Sequence, residues 1–349
     1  DINDSSTINT LKLSLEDKDE FKKLFAIDLL WTLPLKPWKQ TIQKQFLSGS
    51  NKVKRGILEL CWLQRGIITD DMIINQIHLK DEISPHAISC AIDRNITKNI
   101  KDIDSFLIAS NEHLQFSALV VMINDPERSR KAKEIVDQTL IDGSEEQIAG
   151  LLHFLKHSDY DISEHLILKY LNSTNPELID QTLDMISQKP QEKYLIQIIK
   201  LLENKSVSNS VEKALLRYDK KNVCEELLKY FSSSRSTYET KISILGLIHQ
   251  FEDREIAKTI LSSMDNPDLK FLGECTNTLT KISKSYGLSN DEFGQIRGVL
   301  NILSKRAYQL HLFRNKLMPL QNNILLIDHI EHDLTTLRHL ILKLGTLED

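Results

Sequence analysis

Glycine and proline are scarce. The 349 residues hold 11 Gly and 8 Pro, about one residue in eighteen. Large β-sandwiches and α/β enzymes spend glycine on tight turns and phosphate loops, so both classes are disfavoured. No Gly-X-Y period exists, which excludes a collagen-like chain. Aromatics reach only 6%, yet apolar residues total 41%, too many for a disordered chain. No uncharged apolar run approaches the roughly 20 residues that span a bilayer. The longest, Ala118 to Ile123, is core-sized. Neither sign of charge dominates: 44 Lys+Arg against 49 Asp+Glu give a net charge of -5. That leaves no basic stripe for nucleic acid and no acidic tail. The four cysteines, Cys61, Cys90, Cys224 and Cys275, are far apart with no C-x-x-C pair. They read as small core residues in a reducing compartment. Asn-x-Ser/Thr triplets at Asn95, Asn172 and Asn204 carry no weight at this Ser/Thr content. No positively charged apolar leader is present, so no secretory signal is expected. The chain opens on Asp1 rather than Met, which reads as an excised domain or a processed product.

What is present is a period. Helical segments come in pairs, and the first helix of each pair carries a small or β-branched residue in a similar setting. These markers stand at Ala26, Ile57, Ile88, Ala118, Gly150, Thr182, Ala214, Ser243 and Gly273, separated by 31, 31, 30, 32, 32, 32, 29 and 30 residues. A small side chain where helices cross lets backbones approach to about 8 Å. Trp31 and Trp62 each follow a marker by five residues and read as core.

Second helices show as apolar stripes: Trp38, Ile42 and Phe46; Val223, Leu227 and Phe231; Ile256, Ile260 and Met264; and the broad set Tyr194, Leu195, Ile198, Ile199 and Leu202. Breakers such as Ser48-Gly49-Ser50-Asn51, Asp142-Gly143-Ser144 and Asn266-Pro267 separate the helices, and Ser144 to Gln147 fits a capping box. No segment alternates with period two, so no sheet is expected.

After about Ser285 the period stops. Two longer helices follow, broken near Met318-Pro319, with apolar positions at Ile296, Leu300, Leu303, Ala307, Leu310 and Leu317, interrupted by Arg314, and then at Ile327, Ile330, Leu334, Leu337, Ile341 and Leu344. The narrow seam predicts an antiparallel hairpin that covers the end of the stack, or docks another protein or a second copy. Residues 1–14 are polar, lack a helical period and read as a linker.

Helix pairs of about 31 residues with Ala, Gly or Ser at the crossing resemble short HEAT and armadillo-like repeats over residues 15 to about 285. That family's Asp and Arg ladder is present only in traces, Asp19 with Lys23 and Asp268 with Lys270. The second half, with Ala214-Leu215-Leu216-Arg217-Tyr218, Ile244-Leu245-Gly246-Leu247-Ile248 and Leu337-Arg338-His339-Leu340, is similar to the cytoplasmic HEAT region of bacterial fusions with an ATP/ADP-translocase-like membrane domain. That resemblance implies a soluble regulatory or scaffolding part without transport residues.

Sites for chemistry are few. His329 and His332, with Asp328, share a helix face but lack the further ligands a tetrahedral metal site needs. His153 and His157 are spaced i, i+4 without the glutamate of a zincin. Asp70-Asp71 and Glu145-Glu146 sit at helix starts and read as caps. No phosphate loop or nucleophile motif occurs, so no catalytic, cofactor-binding or metal residue is expected. Two basic clusters remain, one at Lys52, Lys54 and Arg55, the other at Arg128, Arg130, Lys131 and Lys133. Positive charge at a helix start is locally unfavourable, so the second invites an anionic partner, with a solvated face beside Glu127 and Glu134 as the plainer reading.

The reading is an all-α, right-handed α-solenoid of about nine HEAT-like helix pairs with a C-terminal long helical hairpin, divided into 1–14 linker, 15–285 solenoid and 286–349 hairpin cap. The expected function is a non-enzymatic interaction scaffold, binding protein or peptide on a concave face lined by second helices, with Trp38, Arg128, Arg130 and Lys131 as interaction residues. In its narrower form it is the cytosolic part of a membrane protein, at the inner face of the membrane, with a membrane domain in the same chain. No cofactor and no nucleic acid are expected. The rival is a HEAT-fold enzyme such as a DNA glycosylase or lyase, which requires a deep positive cleft.

Overall fold

The computed structural model describes residues 5–62, 66–251, 253–318 and 324–347, the side chains of Ser5, Ser6, Arg254 and Tyr286 excepted. Every regular element among them is helical, and no strand occurs among the described residues. The chain divides into two compact units, Asp1–Met185 and Ile186–Asp349.

The first unit begins with α1 (Ser5–Glu16), then pairs α2 (Glu20–Leu30) with α3 (Lys39–Ser48) and α4 (Asn51–Cys61) with α5 (Asp70–His78). Helix α6 (Ser84–Asp93) is followed by two short 3₁₀ turns, Thr97–Asn99 and Ile103–Phe106, where the period calls for a second helix. Then come α7 (Glu112–Ile123), α8 (Ser129–Asp142), α9 (Glu145–Leu155), α10 (Glu164–Leu171) and α11 (Pro176–Ile186). The first helices stack in sequence order, α2 on α4, α4 on α6, α6 on α7 and α7 on α9. Polar bonds tie their N-terminal ends together. Ser50 donates to Glu20, Asn51 to Glu82 at 3.0 Å, Gln147 to Glu112 at 3.0 Å and Ser173 to Glu145 at 2.6 Å. This glutamate ladder takes the place of the expected Asp and Arg ladder. Asp19 and Asp268 instead cap helices, accepting from the backbone amides of Phe21 and Phe271.

The second unit holds α12 (Leu195–Lys200), α13 (Ser208–Leu215), α14 (Lys220–Ser232), α15 (Tyr238–Leu247), α16 (Arg254–Ser262), α17 (Leu269–Tyr286), α18 (Asn290–Leu317) and α19 (Ile324–Gly345). Here two rows are visible. Helices α12, α14, α16 and α18 stack on one another, and α15, α17 and α19 stack beside them. The long hairpin of α18 and α19 thus continues both rows. Arg314, the interruption in its seam, is satisfied across the hairpin by Glu331 at 2.5 and 2.8 Å. The break near Pro319 lies outside the described residues.

Packing follows the apolar pattern. The triplets Trp38, Ile42 and Phe46; Val223, Leu227 and Phe231; and Ile256, Ile260 and Met264 are all buried. Ser144 closes its capping box with Gln147, and Ser289 closes a second with Glu292. The small marker Gly150 does its expected work, since a Cβ there would press on Phe116 at 3.2 Å, whereas a Cβ on Gly56, beside the marker Ile57, would meet Ile27 at an ordinary 3.5 Å. At Gly273 nothing lies within 4 Å, so no close approach explains that residue.

Three expectations are corrected. Residues 5–16 form helix α1 rather than linker: Leu11 and Leu15 anchor it against α2 and α3, and Trp38 Nε1 donates to the Ile8 carbonyl at 3.1 Å. Trp31 is 52% exposed rather than core, and Trp62 is half-buried. Five residues on a helix is a turn of about 140° away from the marker, off the buried stripe. All four cysteines are buried.

Candidate functional site

The site grows from the stacking of first helices. Where α4, α6, α7, α9 and α11 present their exposed faces side by side, an open groove of about 420 Å³ runs across them. Arg55 comes from α4, His86 from α6, His113 from α7, Gly150, His153 and Phe154 from α9, and Gln181 from α11. Gly150 permits the close passage of α9 over Phe116. Phe154 forms an apolar floor, with the rings of His153 and His113 edge-on to it at 4.9 and 6.0 Å. His86 meets His153 edge-on at 6.5 Å.

Two of the imidazoles, His86 and His153, are biased toward the neutral form. Burial pushes His153 down to about 4, helped by the charge of Lys156, against the bond to Gln181 that favours the cation. Burial also lowers His86, and Arg55 adds to the effect. His153 Nδ1 lies 3.2 Å from Gln181 Oε1, so it carries the proton and leaves Nε2 as an acceptor. Charge at the rim is acidic on balance. Glu82 and Glu177 are exposed there, while Arg55 is taken up by Glu59 at 2.9 Å. Neutral ring nitrogens beside an apolar floor suit hydrogen bonding and ring packing with an extended segment.

Nearby, Asp93 accepts from Trp62 Nε1 and lies 3.3 Å from His157 Nδ1, with the Trp62 and His157 rings 5.6 Å apart. Burial raises the Asp93 carboxyl, but its bonds to His157 and Trp62 outweigh this and lower it. Burial pushes the thiols of Cys61, Cys224 and Cys275 up to about 12 and raises that of Cys90. A second hollow, about 450 Å³, lies in the other unit between Phe231, Tyr238 and Phe271.

Among the interaction residues read from the sequence, Trp38 is 1% exposed, its ring filling the space under α1, so it is core. Arg128 is bound to Asp125 at 2.6 Å and to Asp104 at 3.1 Å. Arg130, 93% exposed, reaches Glu134 at 3.1 Å, and Lys131 is exposed. None of them lines the groove. The other basic cluster is also occupied, Lys52 by Glu20 at 3.8 Å and Lys54 by Gln76 at 3.3 Å. His329 and His332 are exposed on α19, and no group of three metal-ligating side chains occurs among the described residues. No described helix is long and apolar enough to cross a membrane. The groove was missed because His86, His113 and His153 look unrelated along the chain. Laid over the period, all three fall on first helices.

The chain matches no protein-family model, and no curated protein matches it. Among solved structures it is similar to the karyopherin Kap121p bound to the extreme C-terminus of the protein phosphatase Cdc14p, with 11% identity and a TM-score of 0.39, covering 99% of this chain and 50% of that one. Kap121p bound to Nup53p gives the same values. Kap95p bound to RanGDP gives 10% identity and a TM-score of 0.35, covering 97% of this chain and 60% of that one. This chain thus spans about half the length of Kap121p. Identity and TM-scores at this level carry no function across.

Proposed function

We propose that this protein is a non-enzymatic, HEAT-like interaction scaffold in the cytoplasm whose first-helix groove docks an extended segment of a protein partner. The observation that carries the reading is that five first helices contribute to one groove in which histidine rings gather over an aromatic floor. A repeat stack suits this role, because its core is set by neighbours while exposed side chains vary freely. The surface lies on first helices, in place of the second-helix face expected from the sequence. The rival enzyme needs a positive cleft, and the carboxylates of Glu82 and Glu177 at the rim tell against it. A right-handed stack belongs to this proposal. The narrower reading, the cytoplasmic part of a translocase-like fusion at the inner membrane face, rests on the resemblance alone and requires hydrophobic spans elsewhere in the full reading frame.

The test is selection of a random peptide display library on the full chain. Enriched peptides are expected to compete with one another and to lose affinity about tenfold or more for His86→Ala with His113→Ala, at unchanged melting temperature. Absence of enrichment, or peptides that bind this variant equally well, contradicts the proposal.

A further inference from the structure

The first helices share a register. The sixth residue of α4 is Gly56 and that of α9 is Gly150, and both face the preceding first helix, Gly150 closely. The sixth residue of α2 is Phe25, which is 64% exposed. The equivalent face of α2 is thus exposed and carries a large aromatic ring at the position where the stacked helices α4 and α9 carry glycine. Around Phe25 the exposed positions of α2 form one continuous helical face, Phe21, Lys22, Phe25, Asp28 and Leu29. Phe21 is 81% and Leu29 45% exposed, and single exposed apolar residues are ordinary where a row of three is not.

The pattern is self-complementary. Phe21 and Leu29 stand four residues either side of Phe25, and Lys22 and Asp28 stand three either side. Two copies of α2 laid antiparallel across a twofold axis at Phe25 set Phe25 against Phe25, Phe21 against Leu29 and Lys22 against Asp28, each cross pair made twice. A twofold interface requires this relation, since each contact must recur with its members exchanged. Lys22 now reaches Asp17 at 2.9 Å, an exposed pair of little worth that releases it readily. We infer that α2 is the self-association surface of this protein and that its occupant is the α2 of a second copy, packed antiparallel.

Sedimentation equilibrium of the full chain tests this. A contact between two helices lies at the small end of the interface range, so a dimer with a Kd on the order of 10 μM is expected. Phe25→Asp is expected to leave a monomer up to about 100 μM with an unchanged melting temperature, because the ring is exposed. Lys22→Glu and Asp28→Lys are each expected to weaken the dimer about tenfold by setting like charges together, and the double exchange to restore it. A wild-type monomer at about 100 μM, or a dimer that survives Phe25→Asp, overturns the proposal. Single exchanges without effect, or a double exchange that fails to restore the dimer, overturn the antiparallel pairing.

Discussion

The ammonium of Lys54 donates to Gln76 Oε1 at 3.3 Å, from the first helix of a pair to its second. One period earlier Lys23 makes the same bond to Gln45 at 3.0 Å. The two bonds span the same 22 residues, so the repeat extends from the backbone to its side-chain chemistry. Gln76 is buried and also donates to both oxygens of Asp81 at 2.8 Å, the residue that holds the start of α6 through the backbone amides of Ile83 and Ser84. Gln76→Leu is expected to lower stability by about 1–3 kcal/mol, as it removes this junction and strands its partners. Urea unfolding measures the loss, and an unchanged midpoint would show the junction to be idle.

Trp38 and Trp31 give a sharper contrast. Trp38 is enclosed and bonded to the Ile8 carbonyl, whereas Trp31 stands past the end of α2 in solvent. Trp38→Ala is expected to cost about 3–5 kcal/mol through the cavity it leaves. Trp31→Ala should stay within about 0.5 kcal/mol of wild type. Thermal melts of the pair check this, and equal losses would contradict the packing of α1.

Arg94 is a buried cation at a junction of loops. Its Nη1 donates to the Ile68 carbonyl at 2.8 Å and to Asp70 at 3.2 Å, and its Nη2 to the Cys61 carbonyl at 3.0 Å. It closes the C-terminal end of α4 and the approach to α5 together. Arg94→Met, which keeps the stem and removes the donors, is expected to cost about 3–5 kcal/mol. Equilibrium unfolding reads the difference, with Arg130→Met, a fully solvated position, as the silent reference.

The histidine groove predicts a pH dependence with a defined sign. His153 is lowered from its ordinary 6.5 to about 4 in the folded chain, so unfolding takes up a proton between those values. Folding stability is therefore full above about pH 6.5 and falls as the pH drops toward 4. Solvent at the open groove screens the effect to about 1–2 kcal/mol. Urea unfolding at a series of pH values should show this slope in the wild type and a flatter one in His153→Gln.

Legibility in the sequence followed burial. Stripes such as Ile256, Ile260 and Met264 declare themselves, because a helix packed on one side must repeat its apolar residues every three or four positions. Helix α1 hid because its segment is rich in Ser, Thr and Asn, and two leucines with a distant tryptophan hold it. The third pair has 3₁₀ turns where the period calls for its second helix. The groove hid because its residues converge across the stack, a relation visible only when the period is laid over the histidines.

Each helix pair hides an apolar flank of its neighbour, and removal of one period tests that claim most directly. A chain lacking residues 207–236 deletes α13 and α14 and joins Ser206 to Thr237, the residue that caps α15. A stack of like units closes over the gap, so circular dichroism should show an undiminished helical fraction and a single cooperative melt. A chain that loses its helicity or melts without cooperativity would contradict the account.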